Sequence, residues 1–434
     1  MSTTTPKKQM TVMQAAFIGV GSMVGAGIFA LLGAAGAVAG SAVWVSFLVA
    51  GAIAGLQGYS FAKLGATYPS GGGMLTYLAK GFGEGHITGV VAWLFYVTGA
   101  IVVAMVAVSF GGYASSVLTQ RDPTWATVFA VALIVVMTVL NVVGSTAVAR
   151  VQSVIVKVVL AILSVFAIVT IVNWDPSLLA PSGYPGVREI IASVALTFFA
   201  FLGFGVITFT AKDLPEPSRQ LPRAMYLALA IATTIYVAVS LGVFGTLTAD
   251  QVVQYGPTAL AEAAKPALGD LGYVLMVITA LFSTAGAVNA SLYPAAGMTE
   301  HLASVGQFPP VFGRAVGRWH APVGLLGAAG LTVVMVVALN LNAIASLGSA
   351  VALLIFSAVT LAHFKVYKET GASLFVLIIA LITTLGTFVV FCTTTLVNEP
   401  VTAAALVLIL ILAVITDLLW KRTRSRRDRE VSSV

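Results

Sequence analysis

Charge is what this sequence has least of. Only 9% of its 434 residues are Asp, Glu, Lys or Arg, against roughly 25% in an ordinary soluble domain, and 59% are hydrophobic. A soluble fold of this length needs far more polar surface. The composition therefore excludes a cytosolic enzyme or a nucleic-acid-binding module and points to an integral membrane protein. Cysteine is nearly absent: Cys392 stands alone, so no intramolecular disulfide can form. The four histidines, His86, His301, His320 and His363, fall in or beside connecting segments without zinc-like spacing, so no metal is expected. Carboxylates are missing from the middle of the apolar runs, where Asp213, Glu300 and Asp417 stand only at the ends. A cationic substrate such as a polyamine would want one there. A dinucleotide loop is missing too. Gly19-Val20-Gly21 begins one, but Val24 occupies the third glycine position and no strand precedes it.

What is present is length and apolarity. Mean hydropathy is +1.03, and the apolar stretches give twelve candidate helices: 12–38, 42–66, 89–118, 124–143, 148–172, 190–211, 222–247, 270–298, 321–339, 343–363, 371–396 and 401–420. They are too long for barrel strands and do not alternate. The first, from Val12 to Val38, is too long for the apolar core of a signal peptide and is expected to remain as a span. The chain thus divides into an N-terminal segment (1–11), a first set of five helices (12–172), a second set of five (190–363), two further helices (371–420) and a basic tail (421–434). Threaded through this map, 18 of the 22 lysines and arginines fall on the side of the N-terminus. The positive-inside rule then places both termini in the cytoplasm. Six of these basic residues lie between Lys421 and Arg429, where a basic run next to a membrane helix binds anionic lipid more often than nucleic acid.

Two helices carry unusual glycine clusters, five helices apart. The first contains Gly21-Ser22-Met23-Val24-Gly25-Ala26-Gly27 and the sixth Leu202-Gly203-Phe204-Gly205. Glycine-interrupted helices at matching places in two halves mark an inverted-repeat transporter. Close helix packing through small residues is the alternative, since Gly21 and Gly25 also form a GxxxG pair. Gly51 and Gly55 are read as packing glycines. If the helices are broken, a zwitterion can be held without any charged side chain. Its carboxylate would sit on the N–H groups of Gly25, Ala26 and Gly27, where a helix dipole is positive. Its ammonium would face carbonyls around Ser22, Met23, Phe199 and Leu202. Lys157, seven residues beyond Arg150 in the fifth helix, is the one basic residue away from the ends of a span. A central lysine costs roughly 2.5–3.5 kcal/mol on insertion scales. It is either a proton carrier or a side chain that snorkels to the interface.

These residues carry a resemblance. The run Val20-Gly21-Ser22-Met23-Val24-Gly25-Ala26-Gly27-Ile28-Phe29, Lys157, the segment Gly203-Phe204-Gly205-Val206-Ile207-Thr208 with Glu216-Pro217 and Pro222-Arg223-Ala224 after it, and Ala280-Leu281-Phe282-Ser283 with Asn289-Ala290 are together similar to the amino acid–polyamine–organocation transporters, especially their proton-coupled, broad-specificity members. The resemblance implies an all-α membrane fold of twelve transmembrane helices. It is of the LeuT type, with two inverted five-helix repeats, discontinuous helices 1 and 6 and two C-terminal helices. It implies substrate contacts from Ser22, Met23, Gly25, Ala26, Gly27, Phe199, Leu202 and Gly203, with Phe199 as the aromatic that closes over substrate. It also implies that the Lys157 amine touches the Gly21 carbonyl and the Ser283 hydroxyl, where sodium-coupled relatives hold a sodium ion. Ser304-Val305-Gly306 departs from the family's Arg-Asp-Gly segment. Tyr96 is either packing or a wall of the side-chain pocket.

The expectation is a multi-pass protein of the cytoplasmic membrane that imports neutral amino acids by proton-coupled, sodium-independent symport. It has no cofactor beyond the proton, no nucleic-acid partner and no enzymatic activity. An exchanger, and from another class a channel or accessory membrane subunit, are the alternatives. Oligomeric state is not legible.

Overall fold

Lipid-exposed backbone must satisfy its own polar groups, so long apolar runs fold as helices. The computed structural model describes residues 10–70, 72–143 and 146–432. Lys7 and Lys8 lie outside the described residues. The helices are α1 (Val12–Ala39), α2 (Val43–Thr67), α3 (Met74–Phe82), α4 (His86–Leu118), α5 (Pro123–Val143), α6 (Thr146–Val172), α7 (Val187–Phe199), α8 (Pro217–Phe244), α9 (Ala249–Tyr255), α10 (Ala259–Ser304), α11 (Val323–Ala338), α12 (Leu341–Thr370), α13 (Leu374–Thr394) and α14 (Pro400–Ser432). A 3₁₀ segment, Leu202–Asp213, follows α7. Among the described residues, ten helical stretches are long and apolar enough to cross a membrane.

Each of the twelve expected helices has a counterpart. The short α3 and α9 were not expected, nor was the small antiparallel pair β1 (Ala315–Val316) and β2 (Ala321–Pro322). Local chemistry sets the ends. Thr11 opens α1 with a capping box: its Oγ1 accepts from the Gln14 N–H at 3.2 Å, and Gln14 Oε1 accepts from the Thr11 N–H at 2.9 Å. Asn340 caps α12 by accepting from the Ala343 N–H at 2.8 Å, and Gly371, left-handed at φ 60°, ends it. Gly269 breaks the helical run of α10 (φ 62°), so its apolar body starts at residue 270 as expected. Helix α14 continues through the basic residues to Ser432.

Helix 1 differs from expectation: α1 runs unbroken. Its glycines are consumed by packing. A β-carbon at Gly19 would lie 2.4 Å from Ile207, at Gly21 2.5 Å from Val156, at Gly25 2.5 Å from Ala287, and at Gly27 2.3 Å from the Tyr236 hydroxyl. Four glycines thus admit four neighbours around one helix. Gly51 also packs closely, against Thr233, whereas nothing stands within 4 Å of Gly55 and it serves no contact of this kind. Helix 6 is broken as expected. Beyond Phe199 the hydrogen bonds tighten from i−4 to i−3, with the Ala200 N–H on the Thr197 carbonyl and the Phe201 N–H on the Phe198 carbonyl. The Tyr236 hydroxyl donates to the Ala200 carbonyl at 3.2 Å, satisfying an acceptor that the junction leaves outside the helical ladder.

Many of the helix pairings come in exchange-related couples, although α1 also packs on α10 and α4 without a matching couple for α7. Swap α1 with α7 and its 3₁₀ continuation, α2 with α8, α4 with α10, α5 with α11, and α6 with α12. The pair α1–α8 becomes α7–α2, α1–α6 becomes α7–α12, α4–α5 becomes α10–α11, and α6–α8 becomes α12–α2; both members of each couple are in contact. The same holds for α6–α10 with α12–α4, and for α4–α11 with α10–α5. Helices α13 and α14 stand outside this scheme, α13 on α2, α7 and α12, and α14 on α4 and α12.

Candidate functional site

Where α1, α4, α7 and its 3₁₀ continuation, α10, α11 and α12 meet, they enclose a cavity of about 110 Å³, well above the ~10–15 Å³ that one water needs. Ser22, Phe199, Leu202 and Gly203 line it, and so does Tyr96. No charged side chain lines it. The Phe199 ring lies against Gly348 of α12, where a β-carbon would come within 2.3 Å of it. Tyr96 donates to the Gly324 carbonyl at 2.7 Å, tying α4 to α11.

Met23, Gly25 and Gly27 do not line the cavity. Met23 is fully buried, and the two glycines are covered by Ser283, Ala287, Tyr236 and Ala200. The Ala26 side chain lies outside the described residues. Because α1 is continuous, the N–H groups of residues 25–27 are engaged by carbonyls one turn earlier. They are not free for a carboxylate in this conformation. Gly21 and Ser283 do come together, around a void of about 10 Å³ that Val24, Ile155, Val156 and Val159 also line. Lys157 is not there. It is exposed, with its Nζ 5.6 Å from the centroid of the Phe17 ring. The cause is helical register: successive residues on α6 point about 100° apart, so Val156 takes the inward position and the lysine turns onto the first turns of α1.

Sequence reading missed Phe95, Gly99, Phe209 and Met298, all on the cavity wall. The available signal was spacing, since Phe95, Gly99 and Val102 recur at i, i+4 and i+7 on α4.

The two ends of the molecule are held differently. Leu221 and Tyr77 both crowd Gly65, so α8 starts at the α3 end. It then runs 28 residues, about 42 Å, to the α9 end. There Gly33 of α1 meets the Gly256 backbone, and the Arg121 guanidinium and the Lys265 ammonium both reach the buried Glu262 carboxylate. Met74, at the start of α3, lines the cavity, so the cavity extends toward the α3 end.

Polar ties cross that α3 end. The Tyr68 hydroxyl donates to Glu369, and partial burial followed by that carboxylate pushes the phenol up to about 12. Asp417 of α14 is fully buried, with His86 Nδ1 at 2.6 Å and Lys421 Nζ at 2.9 Å. It sits at the positive N-terminus of α4, in space that Gly89 leaves open; a β-carbon there would lie 1.9 Å from Oδ1. Trp420 and Arg424 both donate to the Gly306 carbonyl at 3.0 Å. The departure at Ser304-Val305-Gly306 is thus met by side chains from α14. Asp417→Asn is expected to lower stability by about 1.5 kcal/mol, the low end for a hydrogen bond to a charged group, because the more than half-exposed His86 can turn to water. Thermal unfolding in detergent reads it, and an unchanged Tm contradicts it.

Fold and cavity together define an all-helical, multi-pass membrane protein built around a small uncharged chamber. Residues 10–416 match the amino acid permease family, and the chain belongs to that family, within the amino acid–polyamine–organocation superfamily. It is a family of transporters, not enzymes. The chain is 32% identical over 364 residues to the inner membrane transport protein YbaT of Escherichia coli K12, covering 83% of this chain and 84% of that protein. It is 31% identical over 383 residues to MJ0609 of Methanocaldococcus jannaschii, covering 88% of each. To the serine/threonine exchanger SteT of Bacillus subtilis it is 23% identical over 315 residues, 70% of each.

Proposed function

We propose that this protein carries neutral amino acids across the cytoplasmic membrane together with protons and without sodium. It does so by alternating access between two inverted five-helix repeats, with both termini in the cytoplasm. The observation that carries the reading is the uncharged cavity beside the break after Phe199. The exchange-related pairings support the repeat, since a repeat of five crossings must begin on the opposite side from the one before it. Substrate meets Ser22, Phe199, Leu202 and Gly203 first. The N–H groups of Gly25, Ala26 and Gly27 and the backbone of Met23 join the site when α1 opens in another conformation.

Two observations support protons over sodium. The small void beside Gly21 and Ser283 is otherwise lined by valine and isoleucine side chains, whereas a hard cation needs a shell of oxygen ligands. Nearby, Lys157 holds α6 to α1 through the Phe17 ring, a contact worth about 0.5–1 kcal/mol at an exposed site and more when desolvated. It exists only while the amine is charged. In another conformation the amine reaches Gly21 and Ser283. Proton release from Lys157 would then loosen α1 and free substrate.

The test is uptake of labelled amino acids into liposomes containing the purified protein, with pH and sodium gradients imposed separately. Accumulation under the pH gradient alone is expected. Accumulation only under sodium would end the proton reading. The relation to an exchanger favours one second reading, obligatory exchange, for which uptake would require preloaded amino acid and no gradient.

A further inference from the structure

We propose that the cavity selects substrates by an apolar side chain, and that Gly99 of α4 sets the upper limit on its size. The proposal rests on the transport reading above and adds the class of side chain and the residue that measures it.

The cavity wall carries two kinds of chemistry. It includes Ser22 and Ser291, neither of whose hydroxyls has a hydrogen-bond partner among the described residues. They suit the polar backbone groups of an amino acid. It also includes Phe95 and Phe209, whose rings lie parallel within 21° and 6.3 Å apart, with Met74 and Met298. Other hydroxyls of that wall are already donated, Thr98 to the Leu94 carbonyl at 2.8 Å and Tyr96 to the Gly324 carbonyl at 2.7 Å. A polar or charged side chain pointing that way would lose its water and gain no partner. An apolar one would meet aromatic faces and two flexible thioethers that can adapt to several shapes.

Gly99 opens this apolar part. It lines the cavity, and nothing stands within 4 Å of where its β-carbon would be. Two glycines nearby are filled instead: Gly203 by the backbone of α1 and Gly327 by the Tyr96 hydroxyl. The space in front of Gly99 is therefore left by the absence of a side chain rather than closed by a neighbour. Filling it shortens the room for substrate.

The experiment measures alanine, leucine and phenylalanine uptake in the same liposomes for the wild type and for Gly99→Ala, Gly99→Val and Gly99→Leu. One methylene in an apolar pocket discriminates by roughly 10–200-fold. The leucine-to-alanine ratio is expected to fall stepwise along the series, by about tenfold or more at valine, with alanine uptake retained. The ratio is insensitive to how much protein folds. If Gly99→Val carries nothing, the Gly99→Ala ratio decides. A ratio unchanged along the series overturns the proposal and leaves the transport reading intact; a wild type that prefers arginine or glutamate to leucine overturns the proposal together with the neutral-substrate part of that reading. A wild type that moves no amino acid under any gradient or in counterflow overturns the transport reading itself.

Discussion

Replacing Gly203 with alanine is expected to abolish or cripple uptake of every substrate, while the same change two residues on, at Gly205, is tolerated. The two glycines look equivalent in Leu202-Gly203-Phe204-Gly205, but their surroundings differ. A β-carbon at Gly203 would lie 2.6 Å from the Met23 nitrogen, 2.7 Å from the Ser22 carbonyl carbon and 2.8 Å from the Ser22 β-carbon. These are largely backbone atoms of α1, and a continuous helix cannot yield locally. At Gly205 the nearest atom is the terminal methyl of Met74 at 3.4 Å, the free end of a flexible side chain. Overpacking of a filled site costs about 1–3 kcal/mol. Borne wholly by the transport-competent arrangement, that is roughly a 5- to 150-fold loss. Gly203→Ala should also push the 3₁₀ segment away from α1 where Ser22 and Gly203 both line the cavity, so binding falls with transport. Uptake and amino acid binding by both variants, normalised to folded protein, check this; equal tolerance at the two positions refutes it.

Lys157→Met is expected to abolish accumulation driven by a pH gradient and to leave counterflow of preloaded amino acid measurable. Lys157 does not line the cavity, and its amine lies over the Phe17 ring, so its loss removes no cavity-lining group. Lys157→Arg sharpens the test. Arginine keeps the charge and stacks on an aromatic ring at least as well, yet it does not deprotonate in proteins. If proton exchange at this position drives the cycle, arginine fails as methionine does. If the residue only ties α6 to α1, arginine restores what methionine loses. Undiminished accumulation with both substitutions would remove Lys157 from the coupling mechanism.

The places of the apolar helices were legible because apolar length alone defines them, and the start of the apolar body of α10 at residue 270 was legible even inside a longer helical run. The helices α3 and α9, with 9 and 7 residues, carry no such signal. Glycine clusters were visible but their use was not. Whether Gly25 breaks a helix or seats one depends on Ser283 and Ala287, more than 250 residues away. The same limit applies to Lys157. An apolar helix has no polar face to fix its rotation, so nothing local says that Val156 rather than Lys157 points at Gly21. The cavity was half legible. The glycine motif located Ser22, Phe199, Leu202 and Gly203, while Gly99 is significant only because the space before it is empty.

The exchange-related pairings make the protein a see-saw. The α1 arm is straight and its counterpart, α7 with Leu202–Asp213, is bent. Trading those shapes would keep the coupled contacts and reassign their owners, and would move the packing of α1 on α10 and α4 to the other arm. On the alternating-access reading proposed above, two such arrangements would be close in energy, and a bias of only 1–3 kcal/mol, the usual size of a coupling energy, would shift their balance roughly 5- to 150-fold. It follows that changes at matched places in the two arms, one easing a bend near Gly25 and one easing a straightening near Ala200, push the resting conformation the same way. The same kind of change made in both arms cancels.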